Sequence, residues 1–219
     1  MKVASDAWRF FLPLLAVCAV LFGYGWFNGF GYVISGAVFV VAVFAFFVLY
    51  FFRDPHRDIP PNPAELVSPG DGVVHKIDLD WLDPETGEKR TRVCIFLSVF
   101  NVHINRYPVS GKVEKVEIRG GKFLAAWDHM ASEENAQSMI LISSPYGKIV
   151  VKQIVGLIAR RIVCHAKAGD TAVKGDRYGL IRFGSRMDIT MPSSAKLKVA
   201  LGDKVAGGSS VMAVLAPTK

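Results

Sequence analysis

The chain has 219 residues and a mass of 24.0 kDa. A hydrophobic share of 51% against 21% charged residues excludes a disordered chain, and 20 glycines without a triplet period exclude a collagen-like one. Cys18, Cys94 and Cys164 stand far apart, which disfavours a disulfide scaffold and favours a reducing compartment. The net charge of +7 indicates an anionic partner, namely nucleic acid, a membrane surface or an anionic substrate, or else a solvated basic surface.

Residues 1–52 predict a membrane-associated helical hairpin. No charged residue occurs from Phe10 to Phe52, a stretch that holds two helices of the ~20 residues needed to cross a bilayer. The turn sequence at 28–31, Asn-Gly-Phe-Gly, separates helices over 10–27 and 32–52. Basic residues flank both ends, which places both on the cytoplasmic face of the cell membrane. A cleaved signal peptide and a hairpin lying in one leaflet are the alternatives.

A proline-rich linker over 53–63 follows, and its four prolines exclude a regular helix. Residues 64–219 then form one further domain, where short β-type runs alternate with turn residues, so we expect a mainly β (α+β) fold. One helix is predicted from Phe123 to about Asn135. The predicted strands are 73–79, 92–100, 112–118, 139–143, 149–158, 161–165, 180–183, 187–191, 196–201 and 211–215.

A weak internal repeat relates residues 169–175 to residues 202–207, each with a Gly-Asp corner followed by a second glycine. Similar corners occur in barrel-sandwich domains that carry biotin or lipoyl groups on a lysine, typically within Met-Lys. That dipeptide does not occur in the soluble part. The prediction is therefore a barrel-sandwich-like domain without a carrier role.

Three short patterns hold candidate site residues. Asp71 stands between two glycines in a tight loop, although such stretches are mostly plain turns. His103 follows an apolar strand and could act as a general acid or base, or be a structural histidine. Ser185 follows Gly184 between two strand-like runs. The five histidines lack metal-ligand spacing, so no metal site is predicted.

Together the patterns resemble the short prokaryotic branch of the phosphatidylserine decarboxylases. The resemblance covers most of residues 50–205. It rests on six pieces in the family's order: Ser-Pro-Gly-Asp-Gly at 68–72, Phe-Asn-Val-His at 100–103, Tyr-Pro-Val-Ser-Gly at 107–111, Ala-Ser-Glu-Glu-Asn at 131–135, Gly-Leu-Ile-Ala-Arg-Arg-Ile-Val at 156–163 and Gly-Leu-Ile-Arg-Phe-Gly-Ser-Arg-Met-Asp at 179–188.

The resemblance implies a proenzyme that cuts itself between Gly184 and Ser185. The products would be a β chain of residues 1–184 and an α chain of residues 185–219, held together as a heterodimer, with a higher homo-oligomer left open. Ser185 would become a covalent pyruvoyl group, which forms a Schiff base with phosphatidylserine in the membrane and releases CO2 to give phosphatidylethanolamine. The other Gly-Ser pair, Gly208-Ser209, lies beyond the family's cut site.

The resemblance also implies a processing triad of Asp71, His103 and Ser185, in the logic of a serine protease. Longer family members have a second histidine three residues after the first, and Arg106 stands there in this chain. Either His103 serves both reactions, or His165 or Asp71 is the base. We favour His103.

Three other functions compete with this interpretation. A non-catalytic, membrane-anchored barrel-sandwich adaptor would share the Gly-Asp corners. A decarboxylase of another phosphoserine-headgroup lipid would share the motifs. A nucleic-acid binder is disfavoured, because the basic residues are dispersed and no recognition motif occurs.

Overall fold

The structure, a computed structural model, describes residues 2–125, 128, 130–157, 161–182 and 184–217. They form two compact units, one up to His56 and one from Arg57 onward.

The first unit is a pair of apolar helices. It consists of strand β1 (Lys2–Val3), a 3-10 turn (Ser5–Ala7), α1 (Trp8–Asn28), α2 (Tyr32–Phe51) and β2 (Arg53–Asp54), which pairs with β1. Both helices are long and apolar enough to cross a bilayer by length and composition. The predicted helical hairpin is confirmed.

The second unit is mostly β, as predicted. Its elements are β3 (Glu65–Val67), β4 (Gly72–Leu82), β5 (Lys89–Leu97), β6 (Ile104–Arg106), β7 (Gly111–Arg119), α3 (Ala131–Glu134), β8 (Gln137–Ser144), β9 (Gly147–Val155), β10 (Ile162–Cys164), β11 (Thr171–Ala172), β12 (Arg177–Ile181), β13 (Ser185–Pro192), β14 (Lys196–Leu197), β15 (Lys204–Val205) and β16 (Val211–Val214).

An antiparallel sheet of eight strands curls into a half barrel, in the order β11-β7-β8-β9-β13-β5-β4-β15. Two sheets of three strands, β10-β12-β6 and β14-β16-β3, complete the unit. Apolar side chains fill the inside of the curl, among them Ile95 and Leu97 of β5 and Met187 and Ile189 of β13. Burying each such side chain stabilises the fold by roughly 1.5–3 kcal/mol.

The internal repeat corresponds to two equivalent corners. Gly169 N donates to Val113 O (2.8 Å), and Val113 N donates to Asp170 O (2.9 Å). In the second copy, residues 202 and 203 make the same pair of bonds to Val74, at 2.7 and 2.9 Å. Each corner thus fastens a two-residue strand, β11 or β15, to the start of a long one.

The helix predicted from Phe123 to about Asn135 is wrong for most of its described residues, since 123–125, 128 and 130 are not helical and α3 is the helical part that the structure describes there. Residues 126, 127 and 129 lie outside the described residues. The Asn135 side chain explains the break, because its amide bonds both the N and the O of Leu124 (2.9 Å each) and so replaces helical hydrogen bonds.

The predicted strands differ from the observed ones mainly at their ends. The strand predicted over 92–100 ends at Leu97, and that predicted over 196–201 shrinks to two residues. Residues 158 and 183, at the ends of two others, lie outside the described residues. Four short strands of the second unit were not predicted, namely β3, β6, β11 and β15.

Candidate active site

Ser185 is the first residue of β13, directly after a bent glycine. It pairs with Leu97 of β5 and Val155 of β9, so it opens a strand in the middle of the large sheet. Ser185 is fully buried, and its Oγ has no hydrogen-bond partner in the described part of the chain. Gly184 has φ +64°, a left-handed conformation that side chains rarely adopt. A buried hydroxyl without a partner is costly, which points to a use other than stability.

The Ser185 side chain points to the inside of the curl. Alternate residues of a strand face opposite sides, and Met187, two residues on, belongs to the inner core. The Ser-Pro-Gly-Asp-Gly loop approaches this face closely, since a Cβ added to Gly70 would lie 2.8 Å from Met187 Sδ. The loop and the start of β13 are therefore neighbours, although they are far apart in sequence.

His103 lies just before β6 and is almost fully buried. Its backbone O accepts from Ile181 N (3.3 Å), which places it beside the end of β12, the strand that leads to Gly184. Its Nδ1 is 2.9 Å from Asn101 O. A carbonyl only accepts hydrogen bonds, so Nδ1 carries a proton, and in the neutral form of the ring the lone pair lies on Nε2. That tautomer is the one a general base needs.

Asp71 is bound on two sides. Its carboxylate accepts two bonds from Arg57 Nη2 (2.7 and 2.8 Å) and one from Gly207 N (2.7 Å). Ser110 precedes β7 as Asp71 precedes β4, and its Oγ accepts from Lys174 N (2.9 Å) in the other corner of the repeat. In both copies the side chain before the long strand thus accepts a hydrogen bond from the backbone of the Gly-Asp corner. Asp71 differs from Ser110 in its negative charge. The partners of its carboxylate are Arg57 and Gly207 rather than His103.

Arg106 occupies the position of the second family histidine and has a structural environment. It is buried, its Nη1 donates to Gly175 O (2.9 Å) and its backbone N donates to Pro69 O (2.9 Å). An arginine remains protonated in proteins, so it cannot act as the base. His165 is exposed at the end of β10. Of the three candidate bases, His103 is the buried imidazole.

A chain of buried polar side chains on the inner face was not singled out by the sequence. Ser138 Oγ bonds Gln153 Oε1 (2.5 Å), Gln153 Nε2 donates to Asn105 Oδ1 (2.7 Å), and Asn105 Nδ2 contacts Met187 Sδ (2.9 Å). It links β6, which follows His103, to β9 and β13. The available signal was the position of Asn105, two residues after His103 in the Phe-Asn-Val-His-Ile-Asn motif.

The described residues contain no group of three or more His, Cys, Asp or Glu side chains placed to hold a metal ion. A keto group made from residue 185 itself would fit the site, because the Ser185 side chain is already buried and its Oγ carries no bond that would have to be broken.

Fold and site together define a mostly β domain, preceded by an apolar helical hairpin. At the start of one of its central strands, directly after a left-handed glycine, lies a buried serine hydroxyl without a hydrogen-bond partner in the described part of the chain. A family model described as phosphatidylserine decarboxylase matches residues 44–213. The chain belongs to the phosphatidylserine decarboxylase family.

Curated relatives named phosphatidylserine decarboxylase proenzyme agree with that assignment. The chain is 44% identical over 184 residues to one from Geobacter metallireducens, which covers 82% of this chain and 84% of the relative. It is 49% identical over 168 residues to one from Solidesulfovibrio magneticus, covering 76% and 78%. A third, from Geobacter sulfurreducens, is 46% identical over 182 residues, covering 83% of each.

Proposed function

We propose that this chain is a self-cleaving proenzyme, that Ser185 becomes its pyruvoyl group, and that the cut form converts phosphatidylserine to phosphatidylethanolamine. The observation that carries the proposal is the buried Ser185 hydroxyl, which has no hydrogen-bond partner among the described residues and directly follows a glycine at φ +64°. Membership of a family whose relatives are named proenzymes supports it.

Cleavage would begin with an acyl shift from nitrogen to oxygen. Ser185 Oγ attacks the Gly184 carbonyl carbon and forms an ester as the C–N bond breaks, while a base transfers the hydroxyl proton to the released amine. The left-handed Gly184 bends the chain at the bond that must react. Loss of the Cα proton then expels the Gly184 carboxylate, and water converts the resulting dehydroalanine to the keto group and ammonia.

His103 is our candidate for the base. With Nδ1–H donating to Asn101 O, the neutral ring has its lone pair on Nε2, which would take a proton from the reacting group. Asp71 contributes through the loop that it shapes with Gly207, which approaches the inner face at Gly70. In this role Asp71 positions the loop and does not transfer a proton.

The keto group supplies an electron sink for the pair of electrons that CO2 leaves behind. The chain itself positions residue 185 and excludes water from its side chain. The large sheet holds residue 185 between β5 and β9, and its side chain is fully buried. Electrostatic interactions with charges on the reacting groups are stronger in such a low-dielectric site than in water.

The same sheet would keep the two products together. Eight residue pairs join β13 to β5, and six join it to β9. In a cut molecule both neighbours would belong to the β chain, and β13 to the α chain. We therefore expect a heterodimer that stays associated without a covalent link.

The membrane is the proposed location, with the second unit on the cytoplasmic face. The substrate is a diacyl lipid and remains in the bilayer. Lys2 and Arg9 precede the apolar stretch, and Arg53 and Arg57 follow it, as the positive-inside rule requires of two cytoplasmic ends. From residue 53 onward the chain has 24 basic and 18 acidic side chains, which favours contact with anionic headgroups.

Intact mass spectrometry of the full-length protein, purified in detergent, tests the proposal. We expect two fragments, divided after Gly184, in place of one chain of 24.0 kDa. A carbonyl reagent should label only the smaller fragment. Vesicles containing phosphatidylserine should yield CO2 and phosphatidylethanolamine, and an ether-linked phosphoserine lipid serves as the rival substrate. An uncut, unlabelled and inactive chain would contradict the proposal and favour the adaptor function.

A further inference from the structure

The outer face of β13 carries a buried group of charged side chains, although outer faces of such sheets are usually solvated. Arg186 and Asp188 alternate with the inner residues Ser185 and Met187, and are only 1% and 2% exposed. The segment around α3 covers them, with Ser132 buried above Asp188. The face therefore excludes water at the first residues of the strand.

Short hydrogen bonds engage most of the polar side-chain atoms of Arg186 and Asp188. Arg186 Nε donates to Asp188 Oδ1 (2.6 Å), and Arg186 Nη2 donates to Asp188 Oδ2 (3.2 Å) and contacts Cys94 Sγ (2.8 Å). Ser132 Oγ donates to Asp188 Oδ2 (2.7 Å). Arg92 lies 4.0 Å from the same carboxylate. Buried charges are tolerated only when they are paired in this way.

The group joins the two sides of the proposed cut. Arg186 and Asp188 lie after residue 184, whereas Cys94, Arg92 and Ser132 lie before it. Arg92 is itself fixed by Asp78 (2.6 Å) and by the Trp81 ring, 3.4 Å from its guanidinium carbon. A cut molecule would thus hold Arg186, the second residue of its new chain end, through side chains of the other chain.

We propose that Ser132 and the Arg186–Asp188 pair are positioning residues that hold residue 185 on the inner face after the cut. This inference rests on the proposed function. A new strand end frays easily, because its last hydrogen bonds open to water. Anchoring Arg186 on the outer side fixes the backbone one residue away, and the alternation of the strand then keeps residue 185 pointing inward.

Ser132→Ala is the decisive variant, since it removes one bond to Asp188 and little volume. We expect the variant to be cut, with kcat reduced about tenfold and KM unchanged. A looser end should also react faster with a carbonyl reagent. Ser132→Thr retains the hydroxyl and should restore kcat. Arg186→Met should have a larger effect, and if it fails to fold, Ser132→Ala still decides.

Thr190→Val is the matched control, on the same buried face of β13 but five residues from the cut. A merely structural role for the group predicts that Ser132→Ala and Thr190→Val both lower Tm and leave the kcat of the cut form unchanged. Ser132→Ala with kcat within twofold of wild type would overturn the inference and leave the proposed function standing. Wild-type protein that stays uncut would overturn both.

Discussion

The chain contains two Gly-Ser steps, at 184–185 and at 208–209, and both glycines are left-handed, with φ of +64° and +82°. Their serines differ. Ser185 opens a central strand, is fully buried and has no hydrogen-bond partner among the described residues for its Oγ. Ser209 lies half-buried in a turn, where its Oγ is 3.5 Å from Ala206 O. Both Gly-Ser steps therefore share the left-handed glycine, and the two steps differ in the surroundings of the serine hydroxyl.

Replacing the two serines tests this difference most directly. Ser185→Ala removes the nucleophile, so we expect one uncut chain with no carbonyl label and no decarboxylation. Ser209→Ala should be cut and active like wild type. Intact mass and CO2 release check both. Normal cutting of Ser185→Ala would show that the reacting bond was assigned to the wrong Gly-Ser step.

The histidines give the next largest expected effect. His103→Ala should lower the rate of cleavage by about 10²–10⁴, the usual contribution of a general base. His165→Ala is the control, because that side chain is exposed. Time courses of newly synthesised protein on gels measure the rate. A His103→Ala protein that is cut at the normal rate but inactive would restrict His103 to decarboxylation.

The two glycines should separate cleavage from stability. A Cβ on Gly184 would meet no heavy atom nearer than Val99 Cγ1 at 3.9 Å, so Gly184→Ala changes only the backbone preference. That preference is ~1–2 kcal/mol, and we expect cleavage about tenfold slower. Gly208→Ala would place a Cβ 2.8 Å from Arg106 Cδ, which should lower Tm without slowing cleavage. The opposite pattern would contradict the comparison.

The smallest expected effect concerns pH and involves Asp188, a buried carboxylate in the strand that begins at Ser185. Burial raises the pKa of Asp188, but the charge and hydrogen bonds of Arg186, with Ser132 and Arg92, outweigh burial and hold the pKa below its usual value. The ionised carboxylate therefore stabilises the fold above pH ~3.9, and this contribution is lost as the pH falls through the folded-state pKa.

Urea unfolding between pH 5 and pH 3, written as the free energy of unfolding against pH, measures that contribution. Wild type should lose stability more steeply than Asp188→Asn, which cannot titrate there. Equal slopes for the two proteins would mean that Asp188 has an ordinary pKa in the folded chain.

Local patterns predicted the features that depend on local sequence. The charge-free stretch from Phe10 gave the two helices, and the alternation in β7 gave a strand whose Val113 faces the core. The order of the six motifs identified the family before any geometry was known. In each case neighbours in sequence hold the information.

The parts that failed depend on contacts between distant residues. The helix predicted at 123–135 is interrupted because Asn135 bonds Leu124 and also Val155 O (2.8 Å), which composition does not reveal. Ser132 stands in the Ala-Ser-Glu-Glu-Asn motif, and nothing in its local sequence indicates that it bonds Asp188, 56 residues away. β6 is only three residues long and precedes Pro108, so its pairing with β12 had no periodic signal.

The place of β13, with partners on both edges, has a consequence for the lifetime of the enzyme. In the proposed cut form, removing the shorter polypeptide would mean opening both ladders of β13 and disrupting the half barrel, so an inactivated molecule would have no simple route to replace that polypeptide. A prosthetic group made from the backbone would also form only once in each polypeptide. Any side reaction that consumes the group would inactivate the whole protein, and the activity could be restored only by synthesis of new chains.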